Sequence, residues 1–269
     1  MCRLFGMTAE KAVQATFWLL DAPDSLLAQS HHNADGTGIG YFDEAGEPHV
    51  EKQPIAAFED RRFASEARTI RSRTVVAHVR HATTGKLTKA NTHPFSQQDR
   101  LFAHNGVIED LPRLEQRLGE ARALVAGESD SERYFALITS EIDRHNGDVG
   151  AGIRAAVTWI AGSLPIVSIN FVLITATDLW TLRYPETNTL FVLERPAGAP
   201  PLEQRSSYGM RVHSEHERDP ALVLVASERM DDDPGWHEVR SGELLHVGPS
   251  LELESELILT APPVSPPPP

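Results

Sequence analysis

The sequence predicts one α+β domain built on layered sheets, and three observations lead there. Strand signals fill much of the first hundred residues, a helical block occupies the centre, and strand signals return after residue 166. That order does not make alternating βαβ units. No Gly- or Ser-rich linker divides the chain and no segment repeats. With 269 residues, 41% hydrophobic and 23% charged, the chain has the apolar material to bury a core.

Arg3-Leu4-Phe5-Gly6-Met7 reads as a strand. Thr8 is placed to cap a helix running to about Leu20, with Ala12, Ala15 and Leu19 as its stripe. A loop from Asn33 to Gly38 leads into a strand at Ile39–Phe42, turned at Asp43–Pro48 into another extended run. Thr74–Val79 and Leu101–His104 are apolar and partly β-branched, hence strands. Ser129 or Asp130 starts a helix reaching about Asn146, with Tyr134, Leu137, Ile138 and Ile142 on one side and Gly147 as its stop. Gly150–Ala161 is a second helix. Strands then follow at Val167–Thr175, Leu179–Tyr184, Thr189–Leu193, Met210–His213, Ala221–Ala226, Glu243–Val247 and Leu251–Leu259. Ala261–Pro269 holds six prolines and reads as a disordered or polyproline-II tail, so the domain is expected to span 2–260.

The formal net charge of −13, with no basic stretch to offset it, argues against nucleic-acid or anionic-membrane partners. One cysteine rules out an internal disulfide and a thiolate metal cluster, and it fits a reducing cytoplasm. No apolar run approaches the ~20 residues of a membrane span, so a soluble, cytoplasmic protein is expected.

Four features bear chemistry. A lone cysteine is ordinarily a small buried hydrophobe, but Cys2 would become the terminus once Met1 is removed. Its α-amine, titrating near ~8, would then accept a proton from its own thiol, near ~8.5, so that one residue supplies nucleophile and base. Arg80-His81-Ala82-Thr83-Thr84-Gly85 follows a strand; its guanidinium and hydroxyls suit a carboxylate, although a surface Arg and a Thr-Gly turn would read the same way. Asn105-Gly106 offers a side-chain amide and a backbone N–H of the kind that forms an oxyanion hole, or else a tight turn. His93 and His104 nearby read as packed, hydrogen-bonded supports. Asp130, heading the central helix, is either a cap favoured by the helix dipole or the partner of a substrate ammonium, in which case Arg80 and Asp130 would grip the two ends of an α-amino acid.

Together the Met-Cys-Arg-Leu start, the Asn33–Phe42 segment, Arg80–Gly85, Asn91–Pro94, His104–Gly106 and Ser129–Glu132 resemble the class II glutamine amidotransferase domain, a family of N-terminal nucleophile hydrolases. The resemblance covers residues 2 to about 260. It implies a four-layer αββα sandwich, Cys2 as nucleophile, Asn105 and Gly106 as the oxyanion hole, Arg80 and Thr83 (with Thr84 beside it) at the substrate carboxylate, and Asp130 at the substrate amino group. Within the family the chain is similar to a small stand-alone branch that includes a γ-glutamyl hydrolase of ergothioneine biosynthesis. Ala226–Trp236 also resembles that branch, although its composition reads only as an acidic surface loop. That branch commonly carries Trp where this chain has Thr37, which puts the leaving-group partner in question.

The implied activity is hydrolysis of the γ-amide of glutamine or of a γ-glutamyl small molecule through a γ-glutamyl thioester, without a cofactor. No Walker-type phosphate loop marks an ATP-using synthase domain. Alternatives remain: a glutaminase subunit delivering ammonia to a separate synthase, or a catalytically silent binding or regulatory protein on the same scaffold, with homo-oligomerisation open in each case. A metal-dependent hydrolase using His31 and His32, or His78 and His81, has no carboxylate at a recognised metal spacing, and no metal site is expected.

Overall fold

The structure is a computed structural model that describes residues 2–82, 85–200, 203–205, 211–213 and 220–264. The strands are β1 Arg3–Val13, β2 Thr37–Phe42, β3 Pro48–Gln53, β4 Ser72–Val79, β5 Phe95–Gln97, β6 Arg100–Ile108, β7 Ile166–Ile174, β8 Leu179–Arg183, β9 Phe191–Arg195, β10 Glu203–Arg205, β11 Arg211–His213, β12 Leu222–Ala226, β13 His237–Glu238, β14 Glu243–Val247 and β15 Leu253–Leu257. The α-helices are α1 Leu26–Gln29, α2 Arg61–Thr69, α3 Leu111–Leu118, α4 Asp130–Arg144 and α5 Val149–Ser163.

A seven-stranded sheet, in the order β13-β9-β12-β1-β4-β2-β3, faces a six-stranded sheet, β15-β14-β8-β7-β6-β5. β10 and β11 form a separate two-stranded pair. Period-two alternation on β1 builds the layers. Phe5 and Met7 point outward and pack with Trp18, Leu26 and Phe63 from the helical side, whereas Leu4 points inward to Leu101, Ala103 and Val172 of the other sheet. Gly6, also inward, allows close approach of the sheets, since a Cβ there would lie 2.7 Å from Val172 Cγ1. On the far side, α4 and α5 bury Tyr134, Phe135, Ile138, Ile153, Val157 and Ile160 against β6–β8. The result is the four-layer αββα sandwich.

The helix expected from Thr8 to Leu20 does not form. β1 continues to Val13, pairing with β12 at Ala9↔Leu222 and, beyond a register shift, with β4 at Val13↔Ser72. Sheet pairing on both edges overrides the local helical stripe, and only a single π-turn, Phe17–Asp21, follows. Three helices have no counterpart in the sequence reading despite local caps: Ser25 accepts from Ala28 N at the start of α1, Asp60 from Arg62 N at the start of α2, and Asp110 from Arg113 N at the start of α3, where Pro112 fits the first turn. The last strand is shorter than expected, at Leu253–Leu257. Met210, at the head of an expected strand, and residues 265–269 of the expected tail lie outside the described residues.

Ala226–Trp236 is more than a surface loop. Met230 and Trp236 are buried, Trp236 meets Trp18 edge-on at 6.1 Å, its Nε1 donates to Asp231 at 2.7 Å, and Asp233 pairs with Arg195 at 3.0 Å. The acidic side chains serve as acceptors that fold the segment back, which composition does not reveal. Among the described residues, no helix is long and apolar enough to cross a membrane.

Candidate active site

Register places the chain's chemistry at one end of the sandwich. β1 and β4 run antiparallel with Arg3 opposite Val79, so Cys2, just before β1, lies beside Arg80, just after β4. Cys2 is half-buried, and its sulfur is bracketed by one peptide: His81 N–H donates to Sγ at 3.3 Å, and the thiol donates to His81 O at 3.4 Å. Burial pushes the Cys2 thiol above its ordinary pKa; the His81 backbone and Arg80 pull it down, and Asp130 pushes it up. The sulfur thus lies in the fields of both residues expected to bind the ends of an amino acid.

Arg80 is 5% exposed. Its Nη1 donates to Lys86 O at 3.3 Å, and Gly85 sits close beneath it, where a Cβ would lie 3.6 Å from Nη2. Gly85 has φ +75°, a conformation that glycine adopts without strain. Asn91 ties this loop to the next: its Nδ2 donates to Lys86 O at 3.1 Å and its Oδ1 accepts from Glu128 N at 2.7 Å. Thr83 and Thr84 lie outside the described residues.

Asp130, 8% exposed, begins α4 immediately after the Ser129 cap. Its Oδ2 accepts from Ile108 N at 2.9 Å, and its Oδ1 stands 3.4 Å from Ser131 Oγ. Ser131 Oγ in turn meets His104 Nδ1 at 2.9 Å. The start of α4 therefore holds β6 at His104 and at Ile108, on either side of Asn105 and Gly106. His104 Nε2 reaches Ser168 O at 3.2 Å. A carbonyl only accepts, so Nε2 carries the proton and Nδ1 accepts from the Ser131 hydroxyl. Burial lowers the His104 pKa, with Asp130 opposing, which is consistent with this neutral tautomer.

Asn105 is 3% exposed, and its side-chain amide makes no hydrogen bond among the described residues. Its carbonyl accepts from Asn188 Nδ2 at 3.5 Å. Asn105 faces Asn170 across the β6–β7 ladder, where Asn170 Oδ1 accepts from Tyr184 N at 2.8 Å. Gly106 is required sterically: a Cβ there would lie 1.8 Å from Ser168 O.

His93 is packed as expected but is not a hydrogen-bonded support. Its ring lies 4.1 Å from that of His78 and 4.6 Å from Phe95, and none of the four nitrogens of His78 and His93 has a hydrogen-bond partner among the described residues. The His104 backbone approaches His78 without meeting hydrogen-bond geometry. Burial lowers the His78 pKa to about 3 and holds that of His93 well below the ordinary value. Both rings are therefore neutral in the fold, while the unfolded chain binds their protons below about pH 6.5. Stability present above that pH is lost as pH falls toward 3. Between pH 6.5 and 5 the expected loss is about 2 kcal/mol per ring. Urea midpoints across that range read the loss, and His78→Phe should flatten the profile; a flat wild-type profile contradicts the neutral-pair reading. His81 lies beyond β4 and is exposed, so it shares no site with His78.

Sequence reasoning missed Asp35, Asn91, Ser131, Ser168 and Asn188. Of these, Asp35, Asn91 and Ser131 stand inside segments singled out above, whereas Ser168 and Asn188 do not.

The chain matches the family model for class-II glutamine amidotransferases over residues 1–255. It is 31% identical over 242 residues to a gamma-glutamyl-hercynylcysteine sulfoxide hydrolase of Mycolicibacterium smegmatis, covering 85% of this chain and 88% of that one. The Mycobacterium tuberculosis protein of the same name is 29% identical over 259 residues, covering 92% and 93%. Among solved structures, glutamine phosphoribosylpyrophosphate amidotransferase from B. subtilis superposes with a TM-score of 0.67 at 19% identity; the match covers 97% of this chain and 50% of that one, so this chain spans half its length. A glutamine aminotransferase class-II domain protein from Silicibacter pomeroyi gives a TM-score of 0.62 at 18% identity, covering 96% and 100%. The matched residues run through every part of the site just described, and the chain belongs to the class II glutamine amidotransferases.

Proposed function

We propose that this protein is an N-terminal-cysteine amidohydrolase that cleaves the γ-amide of a γ-glutamyl small molecule and releases glutamate. The observation that carries the reading is the position of the Cys2 sulfur, held by the His81 backbone at the end of the sandwich where the β1/β4 register sets it beside Arg80. A guanidinium and a carboxylate around one nucleophile complement the α-carboxylate and α-ammonium of a glutamyl group. Match to the mycobacterial hydrolases over nearly the full length of both chains supports a γ-glutamyl sulfur compound as the substrate class.

In this reading Met1 is removed and the freed α-amine of Cys2 takes the thiol proton. The thiolate attacks the γ-carbonyl carbon, and the developing oxyanion is met by the Asn105 amide and the Gly106 N–H. The C–N bond breaks as the amine returns the proton to the leaving nitrogen, which leaves a γ-glutamyl thioester. Water, deprotonated by the same amine, then releases glutamate and restores the thiol. Thr83 and Thr84 join Arg80 at the substrate carboxylate, His104 supports Asn105 through β6, and His93 packs against His78 and Phe95. The functional unit is residues 2–260, with 261–269 as a tail, and the expected compartment is the cytoplasm.

A second reading, in which glutamine is the substrate and ammonia passes to a separate synthase, draws on the match to a glutamine–fructose-6-phosphate aminotransferase of Idiomarina loihiensis, 29% identical over 63% of this chain but only 27% of that one. Intact-mass measurement before and after a glutamine-mimicking diazoketone, with glutamate release assayed on glutamine, glutathione and γ-glutamyl sulfur amides, tests both. Loss of Met1, a single adduct on Cys2, and higher kcat/KM on a γ-glutamyl sulfur amide than on glutamine are expected. Preference for glutamine supports the second reading, whereas no adduct and no glutamate release overturn both.

A further inference from the structure

We propose that Asp35 is a positioning residue for the nucleophile: its carboxylate fixes the Arg80–Ala82 peptide segment, so that the His81 N–H stays aimed at the Cys2 sulfur. The inference rests on the reading of Cys2 as nucleophile and goes beyond it by naming the group that holds the sulfur's hydrogen-bond donor in place. Three hydrogen bonds join the two segments. Asp35 Oδ2 accepts from Ala82 N at 2.7 Å, Asp35 N donates to Arg80 O at 3.0 Å, and Arg80 N donates to Gly36 O at 2.8 Å. The latter two are backbone bonds that any residue at position 35 could keep. Only the first depends on the side chain, and it grips the peptide on the far side of His81 from Arg80.

His81 gives the sulfur both its N–H and its carbonyl. β4 ends at Val79, so past Arg80 no sheet ladder steadies this peptide and the carboxylate takes that part. An N–H held toward sulfur favours the thiolate over the thiol; an N–H free to swing away does not. Asp35 does not touch the sulfur and acts through the peptide. The charged side chains that act on the sulfur itself are Arg80 and Asp130.

The two roles open to Asp35 predict opposite signs. Deleting a negative charge that acted directly on sulfur would lower the pH at which the thiol ionises; releasing the peptide would raise it. Cys2 is the sole cysteine, so its alkylation reports that ionisation without reference to activity. The rate of alkylation by iodoacetamide against pH is the readout, taken on wild type, Asp35→Ala and Asp35→Asn. Asp35→Ala is expected to move the midpoint upward by about 0.5–1 pH unit. Asp35→Asn keeps an acceptor oxygen and is expected to stay within about 0.3 unit of wild type or move down. kcat/KM for glutamate release should follow the same order.

An unchanged or lowered midpoint in Asp35→Ala overturns the proposal. If Asp35→Ala does not fold, amide hydrogen exchange in the wild-type protein decides: Ala82 N–H should be protected, and exchange at the rate of an open loop overturns the proposal. A silent Cys2→Ala result would instead strike at the proposed function. Full activity in that variant removes Cys2 from catalysis but leaves the alkylation midpoints to report on Asp35, so the two failures are distinguishable.

Discussion

Replacing Cys2 by Ala is expected to abolish glutamate release from glutamine and γ-glutamyl amides alike. The substitution removes the only thiol in the chain. The groups around it are a peptide, a guanidinium and a carboxylate, and the carboxylate is already engaged by Ile108 N. None of them replaces a thiolate as nucleophile. Loss of a nucleophile that works together with its base lowers turnover by about 10⁴-fold or more, because the remaining binding and oxyanion groups have no attacking atom to assist. The fold should tolerate the change: Cys2 is half-buried and lies outside the β1 ladder, so stability should shift by less than about 1 kcal/mol. Steady-state assays on well-purified variant, with a urea melt as control, read both quantities. Activity comparable with wild type in a folded Cys2→Ala protein would end the thioester account.

Asn105→Ala is expected to lower kcat by about 10²–10³ with a much smaller change in KM, the size found when one oxyanion donor is lost. The residue is 3% exposed and its side-chain amide has no hydrogen-bond partner among the described residues, so the amide is not committed elsewhere in the fold. Such a donor strengthens its interaction as charge develops on the carbonyl oxygen, so the deficit falls on kcat. The backbone of β6 should stay in place, because its ladder to β7 and the links from α4 at His104 and Ile108 do not use the Asn105 side chain. A loss confined to KM, or none, would remove Asn105 from the transition state.

The residues that were legible in the sequence share a property: their type and their immediate neighbours carry the signal. Arg80 closes an apolar β-branched run, Asp130 follows a Ser cap, Asn105 and Gly106 follow the apolar run Leu101–His104, and Cys2 stands one residue from the start. Asp35 was not legible, because its partner, Ala82, is 47 residues away and enters through a backbone N–H, which no residue type announces. Ser131 lies in the Ser129–Glu132 segment without any signal of its own; its hydrogen bond to His104, 27 residues distant, becomes apparent only when α4 lies across β6. The false helix from Thr8 failed for the same reason, since Leu222 and Ser72 decide the conformation of Ala9 and Val13 from far along the chain.

The sequence by itself determined which chemistry is present, the central helices and most strands, and the family to which the chain belongs, because these depend on residue type and short-range period. Only the tertiary structure decided that the His81 peptide brackets the sulfur, that α4 holds β6 on both sides of the Asn105–Gly106 pair, and that His78 and His93 are neutral. Each depends on strand register and on exclusion of water, which sum contributions from residues far apart in the chain and have no counterpart in any local stretch of it.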